Sequence, residues 1–217
     1  MADFSDLRVV MVDTQVRPSD VTKFPIIDAM LSVPRENFVP DAARDVAYAG
    51  APIPLAQGRV MLEPRTFAKM LDALDIRADE LVLHVGAGLG YGTAVVAHIA
   101  EAVVGVEDDE ALAGDAELAL STAGADNAVI VGGTLHEGNA KNAPYDVILI
   151  EGAVAYIPEM LLDQLKEGGR IAAIFMDGAL GEMRLGIKTG GRVSWRMDFN
   201  ATAPILPGFD VAETFVF

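Results

Sequence analysis

Val82-Leu-His-Val-Gly-Ala-Gly-Leu-Gly-Tyr91 sets three glycines, at 86, 88 and 90, directly behind a short apolar run. The run Leu81–Val85 reads as a buried strand, and the stretch from the glycine turn Gly86–Gly92 through Ile99 leads into a helix. Glycine permits a tight turn there and lets a ligand lie against the backbone, while free N–H groups at the helix start favour an anionic group. The dinucleotide form G-x-G-x-x-G would need glycine at 91, where this chain has Tyr91, so the pattern is G-x-G-x-G. A second strand, Val103–Val106, ends at Glu107, 17 residues after Gly90. A carboxylate at that place can accept both hydroxyls of a ribose. The plainer alternative is a solvated acid at a strand end. The ligand-binding reading needs an open crevice above the turn, with Glu107 facing into it.

Outward from this stretch, short apolar runs alternate with amphipathic ones. Downstream, Glu110–Ala123 reads as a helix, Ala128–Val131 and Val147–Ile150 as strands, and Pro158–Leu165 as a helix stopped by Gly168-Gly169. Arg170–Phe175 is a fifth strand, with further strands expected at Met183–Ile187, Val193–Phe199 and Val211–Phe217. Upstream, Pro64 opens a helix with Phe67, Met70, Leu71 and Leu74 on one face. Residues 1–33 are largely helical with an interruption near Pro18; Pro25 suits a first helical turn and Pro34 ends the stretch. The proline- and glycine-rich segment from Pro40 through Gly50-Ala-Pro-Ile-Pro54 to Gln57-Gly58 is expected to hold no regular structure. Strands separated by helices make a parallel sheet, and the last strands, with no helices between them, pair antiparallel. The expectation is one α/β domain over residues 1–217, a helical and irregular extension (1–63) on a Rossmann-like core (64–217).

Composition narrows the function classes. Of 217 residues, 52% are hydrophobic and 22% charged, enough apolar material for a sizeable core. The formal charge of −16 repels phosphate backbones and anionic lipid, which argues against nucleic-acid and membrane-surface partners. No cysteine is present, which fits a reducing compartment and excludes thiolate metal ligands. The start, MADFSDLRVV, lacks the basic and apolar character of a secretory signal, so a cytoplasmic location is expected. His84, His98 and His136 are scattered without ligand spacing, so no metal site is expected. His98 reads as a satisfied helix residue, Trp195 as packing, and Glu107–Glu110 as a strand end running into a helix start. No G-x-S-x-G or P-loop appears.

The turn Gly86-Ala-Gly-Leu-Gly-Tyr91 resembles motif I of class I S-adenosylmethionine-dependent methyltransferases. Further segments resemble, in order, protein-L-isoaspartate O-methyltransferases. Ala29-Met-Leu-Ser-Val-Pro-Arg-Glu-Asn-Phe-Val39 is similar to that family's A-M-x-x-V-P-R-x-x-F-V, and Pro52-Ile-Pro-Leu-Ala-Gln57 with Pro64 to its P-I-G-x-G-Q-T-I-S-x-P. Val82–Tyr91 is similar to V-L-E-I-G-T-G-S-G-Y, Ala143–Ile150 to A-P-F-D-A-I-I-V, and Ile157–Gly169 to I-P-x-x-L-x-x-Q-L-K-x-G-G. The resemblance spans roughly residues 20 to 176. It implies a seven-stranded, mostly parallel sheet with helices on both faces, S-adenosylmethionine as cofactor and S-adenosylhomocysteine as product. It also implies methyl transfer to the free carboxylate of an isoaspartyl residue in a protein or peptide, the start of its repair. Gly86, Ala87, Gly88, Leu89, Gly90, Tyr91, Glu107, Asp108, Gly133, Thr134, Leu135 and Glu151 would hold the cofactor.

Departures from the pattern concentrate at chemistry. From Gln57 to Pro64 the chain is longer than the pattern. Counted back from Pro64, the family's T-I-S falls on Val60-Met61-Leu62 and its serine becomes Leu62; counted forward from Gln57, that serine becomes Val60. No hydroxyl remains by either count, so these acceptor-side positions are degenerate. The acid of V-L-E-I-G becomes His84, the Asp of the G-D-G loop becomes Thr134, which implies weaker cofactor affinity, and the threonine after the fourth strand becomes Glu151. In the order 3-2-1-4-5 the first and fourth strands are neighbours, so Glu151 would supply the charge His84 lacks, and the two side chains would hydrogen-bond. A solvated loop acid is the alternative for Glu151. Asp108 either assists the ribose or faces solvent. Two other functions stay open on the sequence: a catalytically silent binding protein with the nucleoside pocket, and a methyltransferase with another acceptor.

Overall fold

The computed structural model describes residues 3–210. The helical start runs α1 (Phe4–Met11), a π-helical turn (Val12–Val16), a short 3-10 turn (Arg17–Ser19) and α2 (Phe24–Ser32). Pro25 sits in the first turn of α2, where its missing N–H costs no intrahelical bond. Two short strands follow, β1 (Ile53–Ala56) and β2 (Arg59–Met61), then α3 (Pro64–Leu74). The core elements are β3 (Leu81–Val85), α4 (Tyr91–Ala97), β4 (Ala102–Glu107), α5 (Glu110–Ala123), β5 (Ala128–Gly132), β6 (Tyr145–Val154), α6 (Glu159–Leu162), β7 (Leu165–Asp177), β8 (Leu180–Thr189) and β9 (Arg192–Asn200).

Among the described residues, seven strands form one sheet in the order β5-β4-β3-β6-β7-β8-β9. The first five pair parallel, and β8 and β9 add antiparallel. Strand direction makes both faces apolar where helices cover both sides. On β6, Val147 and Leu149 enter the core under the N-terminal helices, α3, α4 and α5, while Ile148 and Ile150 enter the core on the opposite face. Chain progression reverses between β3 and β6, which places a crevice at their C-terminal ends.

Three expectations are corrected. The segment expected to be irregular contains the β1–β2 hairpin, Ile53 opposite Met61 and Pro54 opposite Val60. Among the described residues the pair has no third strand, so Pro54 needs no donor on its outer side and proline is tolerated. The helix expected over Pro158–Leu165 is only α6, because Leu165 already pairs with Tyr145 in the sheet. Gly168-Gly169 therefore lies in an irregularity of β7 rather than at a helix stop, with Gly168 at φ +78°. The strand expected at Val211–Phe217 lies outside the described residues. Trp195 packs as expected, its ring edge-on to Phe175 at 4.9 Å.

Candidate active site

The glycine turn leaves β3 with Gly86, Gly88 and Gly90 all at positive φ, +81°, +56° and +90°. Side chains rarely adopt these angles, so the glycines are what let β3 turn into α4 within five residues. Glu107 stands at the end of the neighbouring strand, and the Gly88 N–H donates to its Oε2 at 2.6 Å. The backbone N–H groups of Asp108 and Asp109 donate to Oε1 at 3.1 and 3.2 Å. The acid is fully buried, so the solvated strand-end alternative fails.

An arginine completes its surroundings. Arg59, on β2, binds Glu107 through both terminal nitrogens, Nη1 to Oε1 at 2.6 Å and Nη2 to Oε2 at 2.7 Å, and its Nη1 also reaches Asp108 Oδ1 at 2.7 Å. Such bidentate, charge-assisted geometry is the strong form of the interaction. Burial pushes the Glu107 carboxyl upward, but Arg59 and the backbone donors outweigh it and hold the group below its ordinary range. Asp108 moves the other way, raised by burial and by the neighbouring Glu107 carboxylate. It faces solvent in part and shares Arg59 with Glu107.

The open crevice expected above the turn is covered by the protein's own chain. A Cβ built on Gly88 would stand 2.7 Å from Leu55 Cδ1 of β1, and one on Gly86 3.1 Å from Leu206 Cδ1. Leu55 and Arg59 come from the same hairpin. Taken from Pro54 instead of Pro52, the segment admits a second register against the family pattern. Pro54 through Pro64 has the same length as P-I-G-x-G-Q-T-I-S-x-P, with Pro54, Gly58 and Pro64 at the matching places. In that register Gly58, at φ +70°, takes the glycine position at the tip, Arg59 the glutamine position and Leu62 the serine position.

Val60 is half-buried, and Met61 and Leu62 are buried. Leu62 is held by its backbone. Arg35 donates from Nη2 to the Leu62 carbonyl at 2.7 Å and from Nε to the Ala47 carbonyl at 2.8 Å, with its guanidinium 4.6 Å from the Tyr91 ring centroid. Arg35 is the arginine of the V-P-R segment, and this clamp is a physical use for it that spacing alone does not reveal. On the other side, the Leu62 N–H points to Glu151 Oε1 at 3.4 Å. A groove of about 490 Å³ opens beside Leu62, walled by Pro52, Glu63, Thr66, Glu182 and Asn200.

His84 and Glu151 meet as expected, Nε2 to Oε2 at 3.1 Å, though without the alignment of a hydrogen bond. His84 Nδ1 lies 2.8 Å from Thr93 Oγ1. Glu151 is buried inside β6 rather than in a solvated loop. Gly92 makes room for this cluster, since a Cβ there would collide with the Glu151 carboxylate and the His84 ring. Ala87 and Tyr91 are buried, and Leu89 is half-buried. Gly133 and Thr134 are exposed past β5, the Gly133 N–H donating to the Glu107 carbonyl at 3.0 Å, while Leu135 is buried. His98 pairs with Asp28 at 2.9 Å.

This sheet order, glycine turn and strand-end acid define a class I methyltransferase fold. The sequence model described as protein-L-isoaspartate(D-aspartate) O-methyltransferase matches residues 11–184, and the chain belongs to that family. A protein-L-isoaspartate O-methyltransferase of Methylorubrum extorquens (strain PA1) is 38% identical over 169 residues, 78% of this chain and 74% of that protein. One of Syntrophus aciditrophicus (strain SB) is 38% identical over 171 residues, 79% of this chain and 78% of that protein. Among solved structures, a protein-L-isoaspartate O-methyltransferase superposes at TM-score 0.80 with 22% identity, over 95% of this chain and 66% of that one. A putative family member from Plasmodium falciparum, solved with S-adenosyl-L-homocysteine, superposes at TM-score 0.78 with 18% identity, covering 95% of this chain and 99% of that one. No helix among the described residues is long and apolar enough to cross a membrane.

Proposed function

We propose that this chain transfers a methyl group from S-adenosylmethionine to the free carboxylate of an isoaspartyl residue in a protein or peptide. One observation carries the reading: Gly88 N–H holds the Glu107 carboxylate at 2.6 Å on the rim of the glycine turn, at the point where strand order reverses. The donor set fits the cofactor. Gly86 to Tyr91 offer backbone without bulk, Glu107 and Asp108 offer ribose acceptors, and Gly133, Thr134 and Leu135 border the adenine side. Leu55 over Gly88 and Arg59 on Glu107 stand where the cofactor would lie, so binding requires both to withdraw.

When bound, the cofactor supplies a sulfonium-activated methyl group. An acceptor carboxylate held in line with that methyl would form the C–O bond of a methyl ester as the C–S bond breaks and the thioether leaves neutral. A carboxylate is already ionised at neutral pH, so this chain needs no general base and acts by holding the acceptor in line. Leu62 brings no hydroxyl to that task, and its N–H is directed to Glu151. Orientation then falls to the groove beside Leu62, where Thr66 and Asn200 are polar. Burying a carboxylate against Leu62 without such partners costs free energy, which predicts slow turnover rather than none.

The test is methylation with radiolabelled S-adenosylmethionine of an isoaspartyl peptide beside its normal aspartyl twin. Base-labile label on the isoaspartyl peptide alone is expected. Label on neither peptide, with cofactor binding intact, would overturn the acceptor assignment.

A further inference from the structure

We infer that Arg59 is an internal competitor for the ribose position on Glu107, and that the hairpin Ile53–Met61 is the lid it fastens. The inference rests on the cofactor reading above and adds a residue and a movement to it.

Glu107 already has five donors: Arg59 Nη1 and Nη2, and the N–H groups of Gly88, Asp108 and Asp109. A carboxylate has about four lone-pair sites, so a diol can bind only in place of a present partner. The backbone donors are fixed by the turn and the strand end. Arg59 is the exchangeable one. Its nearly buried guanidinium faces two carboxylates, Glu107 and Asp108, whereas a ribose would bring two hydroxyls to the same oxygens.

The hairpin is built to move. It stands apart from the seven-stranded sheet, and an isolated two-stranded pair is marginal on its own. Its ends are anchored by buried Ile53 and Met61, and Met61 runs on into Leu62, clamped by Arg35. Its tip, Gln57-Gly58, is exposed. Leu55 covers Gly88, so Arg59 and Leu55 would leave together as the tip swings away. With the lid closed in most free molecules, apparent cofactor affinity falls by the fraction that is open.

The experiment is calorimetric titration of the full chain with S-adenosylhomocysteine, for wild type, Arg59→Gln, Arg59→Lys and Leu55→Ala. Amide hydrogen exchange of the free proteins runs beside it. Arg59→Gln should tighten binding about tenfold, the effect of a lid closed in about nine molecules of ten. Arg59→Lys, which keeps charge without the bidentate fork, should fall between. Leu55→Ala should also bind more tightly than wild type. Exchange at residues 55–60 should quicken in Arg59→Gln while Val82–Val85 keep wild-type rates, a local change that general destabilisation would not give. Equal affinity of wild type and Arg59→Gln would overturn the lid while leaving the cofactor reading intact. Weaker binding by Arg59→Gln, with core exchange unchanged, would make Arg59 a cofactor contact and overturn it too. Failure of every variant to bind would overturn both readings.

Discussion

Two arginine–glutamate pairs sit at opposite ends of the same sheet. At the N-terminal ends of the strands, Arg170 binds Glu80 through both terminal nitrogens at 2.6 and 2.8 Å, and also donates to the carbonyls of Leu74 and Asp75, both at 2.9 Å. At the C-terminal ends, Arg59 binds Glu107 with nearly the same distances. The difference is where each arginine is rooted. Arg170 belongs to β7, paired with Val147 on one side and Ile187 on the other, so it cannot leave without opening the sheet. Arg59 belongs to a hairpin whose two strands pair only with each other among the described residues. Similar charge geometry thus serves as a rivet at one end and a releasable catch at the other.

The largest effect expected from this contrast is on global stability. Arg170→Ala leaves Glu80 largely buried and strands two carbonyls, and should cost about 3 kcal/mol in urea unfolding. Arg59→Gln should cost about 1 kcal/mol in the same measurement, because three backbone N–H groups still serve Glu107. Equal losses would erase the distinction.

A smaller effect sharpens it through pH. Glu80 is pushed up by burial, but Arg170 and the Arg77 N–H bring it below its ordinary value, and Glu107 is lowered in the same way. A lowered carboxyl contributes stability that is present above its unfolded pKa of about 4.3 and is lost as pH falls through its folded value. Asp108, raised, works in the opposite sense and offsets part of the Glu107 contribution. Wild type should therefore lose stability on acidification from about pH 5 downward. Arg170→Ala should show a shallower loss, by about 1 kcal/mol, and Arg59→Gln a profile nearer to wild type. Urea midpoints taken at a series of pH values check this; parallel profiles for all three proteins would refute it.

How much of this could be read from residues alone follows the range of the interactions. The glycine turn and Glu107 were legible because turn, strand and helix signals are local and their spacing is short. His84 and Glu151 are brought together by strand order, which the family resemblance implies and the alternating pattern alone does not. The hairpin was missed because Pro54 and Gly58 punctuate it, and those residues weigh against a strand unless it is an edge without neighbours. Arg59 had no local signal at all. Its partner is 48 positions away, and only the folded hairpin brings its guanidinium to Glu107. Gly168-Gly169 misled in the same way, since a β7 irregularity and a helix stop call for the same residue type.

A crystal structure of this chain grown with S-adenosylhomocysteine tests the central claim most directly. The account predicts both ribose hydroxyls on Glu107, with Arg59 withdrawn from that carboxylate and Leu55 no longer over Gly88. A nucleoside bound away from Glu107, or in that crevice with Arg59 still on both Glu107 oxygens, would contradict it.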